Sequence, residues 1–194
     1  MRKHLLHALI IPFVFLSMPF THAEEESRIG LRSSYIKLSV SQVQSIPHVS
    51  IREKKEWGFY GHSTINNEYD LKTINGDKVV IDHATGLMWH QSGSSDYMNW
   101  NKAKDWVRSL NSRGYAGHHD WRLPTVEEAT SLLESSKRNG YLHIDAVFSN
   151  KQSWIWTGDK YGSEAVWDVY FGLGGVYWNF IFCNDYVRPV RSEK

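Results

Sequence analysis

The sequence predicts an α+β domain in which two helices lie between a β-hairpin and a run of antiparallel strands. Three observations predict it. Residues 69–74 and 78–82 flank Asn75-Gly76-Asp77, and Asn-Gly suits a two-residue turn in which both positions need positive φ. Two later segments carry apolar residues at helical spacing. After Gly140 the pattern changes to short runs of β-branched and aromatic residues joined by turns, and segregated helices and strands with hairpin links mark this fold class.

Taken in order, residues 24–68 are polar and turn-rich. Ile36, Leu38 and Val40 alternate there as on one face of a strand, and Pro47, Gly58 and Gly61 mark breaks. This segment reads as an N-terminal extension, either an added strand or a loosely attached loop. The first helix covers residues 100–110, where Trp100, Ala103, Trp106, Val107 and Leu110 share a face and Gly114 is placed to end it. The second follows Pro124: Thr125 and Glu128 fit a capping box, and Val126, Ala129, Leu132 and Leu133 form its apolar stripe. Strands are expected over residues 154–157, 165–171, 176–182 and 186–190, with Gly172-Leu173-Gly174-Gly175 as a tight connection.

Composition bounds what the chain does. Its 194 residues carry 22 Lys+Arg against 21 Asp+Glu, are 41% hydrophobic and 14% aromatic, and suit one main domain with a packed core. A mean hydropathy of −0.46 excludes a polytopic membrane protein, and the near balance of charge argues against a nucleic-acid binder, which needs a basic excess. Arg2 and Lys3 precede an apolar run from Leu5 to Phe20, and Thr21-His22-Ala23 offers small residues for cleavage, so residues 1–23 read as a secretory leader. Pro12 and Pro19 interrupt that run, which argues against an anchor. Cys183 is the single cysteine; no internal disulfide is available, and the thiol, set among Phe180, Ile181 and Phe182, reads as a small hydrophobe.

The motifs have a recognisable order: Asp82 to Trp89, the helix from Trp100, Gly114-Tyr115, Asp120-Trp121-Arg122-Leu123-Pro124-Thr125, Ile144-Asp145 with Phe148, Trp156-Thr157, and Tyr186-Val187-Arg188-Pro189-Val190-Arg191. This order, over about residues 69–192, resembles the Lcl C-terminal domain family, the end domain of a bacterial collagen-like adhesin. That family is similar to the C-type-lectin-like superfamily, whose formylglycine-generating enzymes have an Arg-Leu-Pro-Thr segment that looks like Arg122 to Thr125. The resemblance implies a C-type-lectin-like fold, two helices packed on a twisted antiparallel sheet, without implying calcium-dependent sugar binding. It marks Trp89, Asp120, Trp121, Arg122, Pro124, Thr125 and Arg188 as a structural signature. Relatives often carry cysteines at the positions of Val107 and Pro189; both are replaced here, which implies an apolar contact between the first helix and the final segment. The formylglycine-generating relatives use a cysteine pair, which this chain lacks.

Candidate chemistry is sparse. Arg122, with five donors beside Asp120 and Trp121, reads better as a tie between loop carbonyls and a carboxylate than as a charged site. His118-His119-Asp120 resemble metal ligands by type, yet adjacent histidines seldom face one ion and no third ligand is at hand, so no metal or cofactor is expected. Gly172 to Gly175 lack the lysine and helix of a phosphate cradle, and Ser92-Gly93-Ser94-Ser95 lacks the frame of a nucleophile elbow. Asp159, Glu164 and Asp168 need a converging geometry to form a calcium site or an acid/base pair. A binding surface remains: Trp156, Trp167, Tyr177, Trp178 and Asn179, on or beside predicted strands, are the candidate ligand-binding set, with rings to stack on a sugar or apolar ligand. Lys102, Lys104, Arg108 and Arg113 offer a basic strip for the sulfated polysaccharides that family precedent suggests.

The expected function is therefore an exported, non-enzymatic, adhesin-like module at the cell envelope that binds an extracellular glycan or protein. No catalytic residue, nucleic-acid partner or membrane span after leader removal is expected. Two alternatives stand beside it. One is a metal-dependent or hydrolytic enzyme that gathers His118 or His119 with Asp120, Asp159 or Asp168. The other is a structural envelope subunit that pairs with a neighbour through residues 24–68.

Overall fold

A computed structural model describes residues 28–193; the leader expected over residues 1–23 lies outside the described residues. A helical turn α1 (Val40–Val43) leads into the hairpin β1 (Val49–Lys55) and β2 (Gly58–Ser63). A second hairpin, β3 (Tyr69–Ile74) and β4 (Asp77–Asp82), continues into β5 (Leu87–His90). Helices α2 (Trp100–Ser112) and α3 (Val126–Ser131) follow, then β6 (Trp154–Tyr161), β7 (Ala165–Tyr170), β8 (Gly175–Phe180) and β9 (Val190–Ser192). The strands form two antiparallel sheets, ordered β1-β2-β8-β7-β6 and β3-β4-β5-β9, and the fold class is α+β. No helix among the described residues is long and apolar enough to cross a membrane.

Local signals act as the sequence implies. Ile74 faces Asp77 across the β3–β4 turn, and Asn75 and Gly76 take φ of 53° and 88°, the pair of positive values that a twisted hairpin requires. The Asn99 side chain caps α2 by accepting from the Lys102 amide, and Gly114, at φ 68°, lets the chain leave in the left-handed region. Thr125 and Glu128 close the expected capping box on α3. That helix stops after six residues; Leu132 and Leu133 lie in the turn beyond it and are buried all the same.

Two expectations are corrected. Residues 186–190 do not form a strand: Tyr186 bridges Ile155, Val190 bridges Arg122, and only Val190–Ser192 joins a ladder, with β5. Pro189 has no N–H to donate, so a continuous ladder cannot pass through it. Residues 36–40 make a single bridge, Lys37 to Lys160, because Ser39 and Gln42 form a capping box that turns the chain into α1 at Val40. Ile36 is left exposed while Leu38 is buried. The extension is nonetheless built in rather than loose, since β2 pairs with β8 through Phe59 opposite Val176 and Tyr60 opposite Gly175.

Two apolar clusters hold the fold. The larger gathers Phe59, Trp89, Trp167 and Phe171 around α3. The smaller packs Trp100, Ala103, Val107 and Leu110 of α2 against Trp121, Trp156 and Val187, which sets that helix against the segment containing Pro189. Trp89, Trp156 and Trp167 are fully buried. Each such ring removes about 150–250 Å² from water, of order 4–6 kcal/mol at about 25 cal/mol per Å², against about 2–4 kcal/mol for a typical disulfide. One buried ring thus contributes at least as much as a disulfide would in a chain with one cysteine.

Candidate functional site

On α2, Trp100, Lys104, Val107, Arg108 and Asn111 recur at helical spacing and face one side. Opposite them stand Gly158 and Lys160 of β6, the loop Trp121-Arg122-Leu123, and Tyr35, Ile36 and Lys37 of the extension. Together they enclose a cleft of about 490 Å³, within the range of small-molecule sites. Its floor is apolar: Trp100, Val107, Trp121 and Leu123 are largely buried, and Tyr35 and Ile36 form an exposed lip.

The extension is pinned there by one buried carboxylate. Asp159 accepts from Arg32 Nη1 and Nη2 at 2.9 and 2.7 Å, from the Ile36 amide at 2.8 Å and from the Val126 amide at 2.8 Å. Arg32 also reaches Glu127, and its carbonyl accepts from Thr125 Oγ1. Tyr35 Oη donates to the Leu123 carbonyl at 2.8 Å, and burial raises its pKa to about 12, so it stays a neutral donor. The Tyr35 ring rests on Gly158, where a Cβ would lie only 2.1 Å from it.

The polar groups of the wall are already committed. Arg122 donates to both oxygens of Glu128 at 2.7 and 2.6 Å; burial alone would lower its pKa, but the carboxylate holds it above the usual value. The Asn111 amide accepts from the Trp121 N–H and donates to the Trp121 carbonyl. Trp100 Nε1 donates to the Thr157 carbonyl at 2.9 Å, which fixes its ring.

What the wall leaves uncommitted is positive charge. Lys104 Nζ stands 3.9 Å from the Trp100 ring centre and Lys160 Nζ 5.7 Å from the same ring. Burial, then repulsion from Lys160 and Arg108, lowers the Lys104 pKa against a smaller pull from Asp105. Arg108 bonds to Asp105, but no carboxylate among the described residues forms an ion pair with Lys37, Lys104 or Lys160, and none lines the cleft. The Trp100 face takes part of this charge by cation–π attraction, and with no carboxylate lining the cleft the remaining positive field favours an anion.

The candidate ligand-binding set is not gathered into one site. Trp156 and Trp167 are wholly buried, their indoles donating to the Met98 and Leu38 carbonyls, and neither can stack on a ligand. Tyr177, Trp178 and Asn179 are consecutive on β8 and so point to alternate faces. Trp178 packs toward the larger cluster and stacks on Tyr161 at 4.7 Å. Tyr177 faces the other way, stacked on Trp57 at 4.1 Å beside Tyr60, Trp154 and Tyr170. Asn179 Oδ1 accepts from the next amide.

The signature residues hold structure. Trp89, Pro124 and Thr125 are buried and Trp121 is 2% exposed. Asp120 accepts from Arg191 at 2.7 and 3.2 Å, which keeps its carboxyl below the ordinary range. Arg188 is fully buried over the Phe148 ring and donates to the carbonyls of His90, Gln91 and Ser149; burial brings its pKa down to about 9. His118, His119 and Asp120 share a groove, but Arg191 takes the carboxylate and His119 Nδ1 meets the Asn111 carbonyl. No metal-ready group of three or more His, Cys, Asp or Glu occurs among the described residues. Asp159 is engaged as described, Glu164 is exposed, and Asp168 lies buried beside Asp185, its two oxygens without a hydrogen-bond partner.

Of the basic strip, Lys104 and Arg108 line the cleft, Lys102 is exposed outside it and Arg113 lies over the Tyr115 ring. Tyr35, Ile36, Lys37 and Lys160 went unforeseen. The Lys37–Lys160 bridge and the bonds of Asp159 bring those distant stretches together, and no local pattern encodes them. The family model described as the Lcl C-terminal domain matches residues 78–191, more than half of the sequence. The chain belongs to the Lcl C-terminal domain family. No curated protein matches it. The Lcl C-terminal domain match takes in α2, the Trp121–Leu123 loop and β6 but not Tyr35, Ile36 or Lys37, so one wall of the cleft comes from outside the shared domain.

Proposed function

We propose that this chain is an exported, non-enzymatic binding module of C-type-lectin-like fold that holds an anionic extracellular ligand, glycan or protein, at the bacterial cell envelope. One observation carries the reading: Lys37, Lys104 and Lys160 gather on an apolar floor with no carboxylate lining the cleft. Export is supported by the charged, apolar and small-residue pattern over residues 1–23. The superfamily is supported by the Arg122 to Thr125 segment and by two helices packed with antiparallel strands.

The test is a glycan array and an envelope-protein pull-down with the exported protein, with and without calcium. The reading expects retention by acidic ligands that weakens as salt rises and falls in a Lys104→Ala, Lys160→Ala variant. Retention unchanged in that variant, or none by any ligand, contradicts it.

A further inference from the structure

Resting on the cleft as the binding site, we propose that the unit it takes is a small amphipathic anion, an apolar ring system bearing one acid group, rather than a run of sugar hydroxyls. The acid group sits between the Lys104 and Lys160 ammonium groups, clear of the electron-rich Trp100 face that both approach, and the ring system lies along Val107, Trp121 and Leu123.

A saccharide is recognised through many hydroxyls, each of which needs a partner when water is displaced. The Arg122 guanidinium is spent on Glu128, the Asn111 amide on Trp121, and the Tyr35 hydroxyl on the Leu123 carbonyl. Nearby backbone is also paired: the Gly158 amide donates to the Pro124 carbonyl, and the Lys160 amide to the Ile36 carbonyl. The wall therefore offers a ligand mainly apolar surface and ammonium groups, with the Arg108 guanidinium at its edge held by Asp105. Burial and like charge disfavour the Lys104 cation, and an anion beside it relieves the second of these. Lys104 and Lys160 meet at one ring, while Arg108 one turn along α2 is bonded to Asp105 and Lys102 and Arg113 lie outside the cleft. That arrangement matches a single acid group better than a polyanion.

Isothermal titration of the exported protein with naphthalene-2-sulfonate, its neutral analogue 2-naphthalenemethanol, inorganic sulfate and dextran sulfate tests this. The proposal expects saturable one-to-one binding of the sulfonate, at least about tenfold weaker binding of the alcohol and of sulfate, and about a tenfold loss in either Lys104→Ala or Lys160→Ala. Lys102→Ala, on the same helix but outside the cleft, retains full affinity, and melting curves confirm that each variant folds. Alcohol binding as tight as the sulfonate overturns the charge assignment. Dextran sulfate binding that depends on Lys104 while the sulfonate fails to bind overturns this inference and leaves the binding function standing. Failure of every probe overturns this inference, and the array and pull-down then decide the binding function by themselves.

Discussion

At Gly158 the absence of a side chain is what lets the Tyr35 ring lie flat on β6, since a Cβ there would fall 2.1 Å from the ring. The backbone at this glycine needs no unusual φ, so the requirement is space alone. Gly158→Ala is expected to cost about 1–3 kcal/mol by overpacking and to push Tyr35 off the lip, weakening sulfonate binding as well. Tyr35→Phe removes only the bond to the Leu123 carbonyl and should cost about 1 kcal/mol with the lip in place. Thermal melts of the two variants separate these effects; a Gly158→Ala protein as stable as its parent contradicts the seating of the ring. None of this is visible in the sequence, where Gly158 stands in an otherwise ordinary strand pattern.

Asp159 joins elements far apart in the chain: the extension through Arg32 and Ile36, the start of α3 through the Val126 amide, and β6 to which it belongs. Removing one partner of a buried ion pair costs about 3–5 kcal/mol, so Asp159→Asn should approach that range, tempered by the partial exposure of Arg32. Hydrogen exchange should then rise over residues 32–38 more than over β3 and β4, and uniform protection would contradict the role of Asp159 as the pin. At this scale the sequence was legible at several places where a local rule decides the outcome: the Asn75-Gly76 turn, the Thr125 start of α3, the Gly172 to Gly175 connection; the Ser39–Gln42 capping box, equally local, was hidden behind the alternation of Ile36, Leu38 and Val40. It was illegible where distant partners decide it. Trp167 and Trp178 look alike as strand tryptophans, yet they face each other on neighbouring strands, one sealed beneath Leu38 and the other half-covered. The β1–β2 hairpin, which brings Trp57 and Tyr60 to Tyr177, arises from a segment with no motif of its own.

Across the whole molecule, buried titrating groups set opposing pH trends. Burial holds Asp185 up to about 7. Burial, and then Asp185, pushes Asp168 above its usual value. In the folded chain both keep protons that the unfolded chain releases near pH 4. Their stabilising contribution is full below about pH 4 and is lost as the pH rises through the folded values. His90, brought down to about 3 by burial and by Arg188 and Arg113, works the other way, since the unfolded chain takes up a proton near pH 6.5 that the folded chain refuses. Its contribution is present above about pH 6.5 and is lost as the pH falls toward the folded value. Asp168→Asn should therefore melt above its parent at about pH 8, with the gap closing by about pH 4.5; identical melts at both values contradict the buried acid pair. Whether the α2–β6 cleft or the Tyr177 patch is the binding site can be read from the nine tryptophan indole N–H signals in a ¹⁵N spectrum titrated with naphthalene-2-sulfonate. Shifts confined to Trp100 and Trp121 are the predicted result. Shifts at Trp57 and Trp154, with Trp100 and Trp121 unmoved, would contradict it.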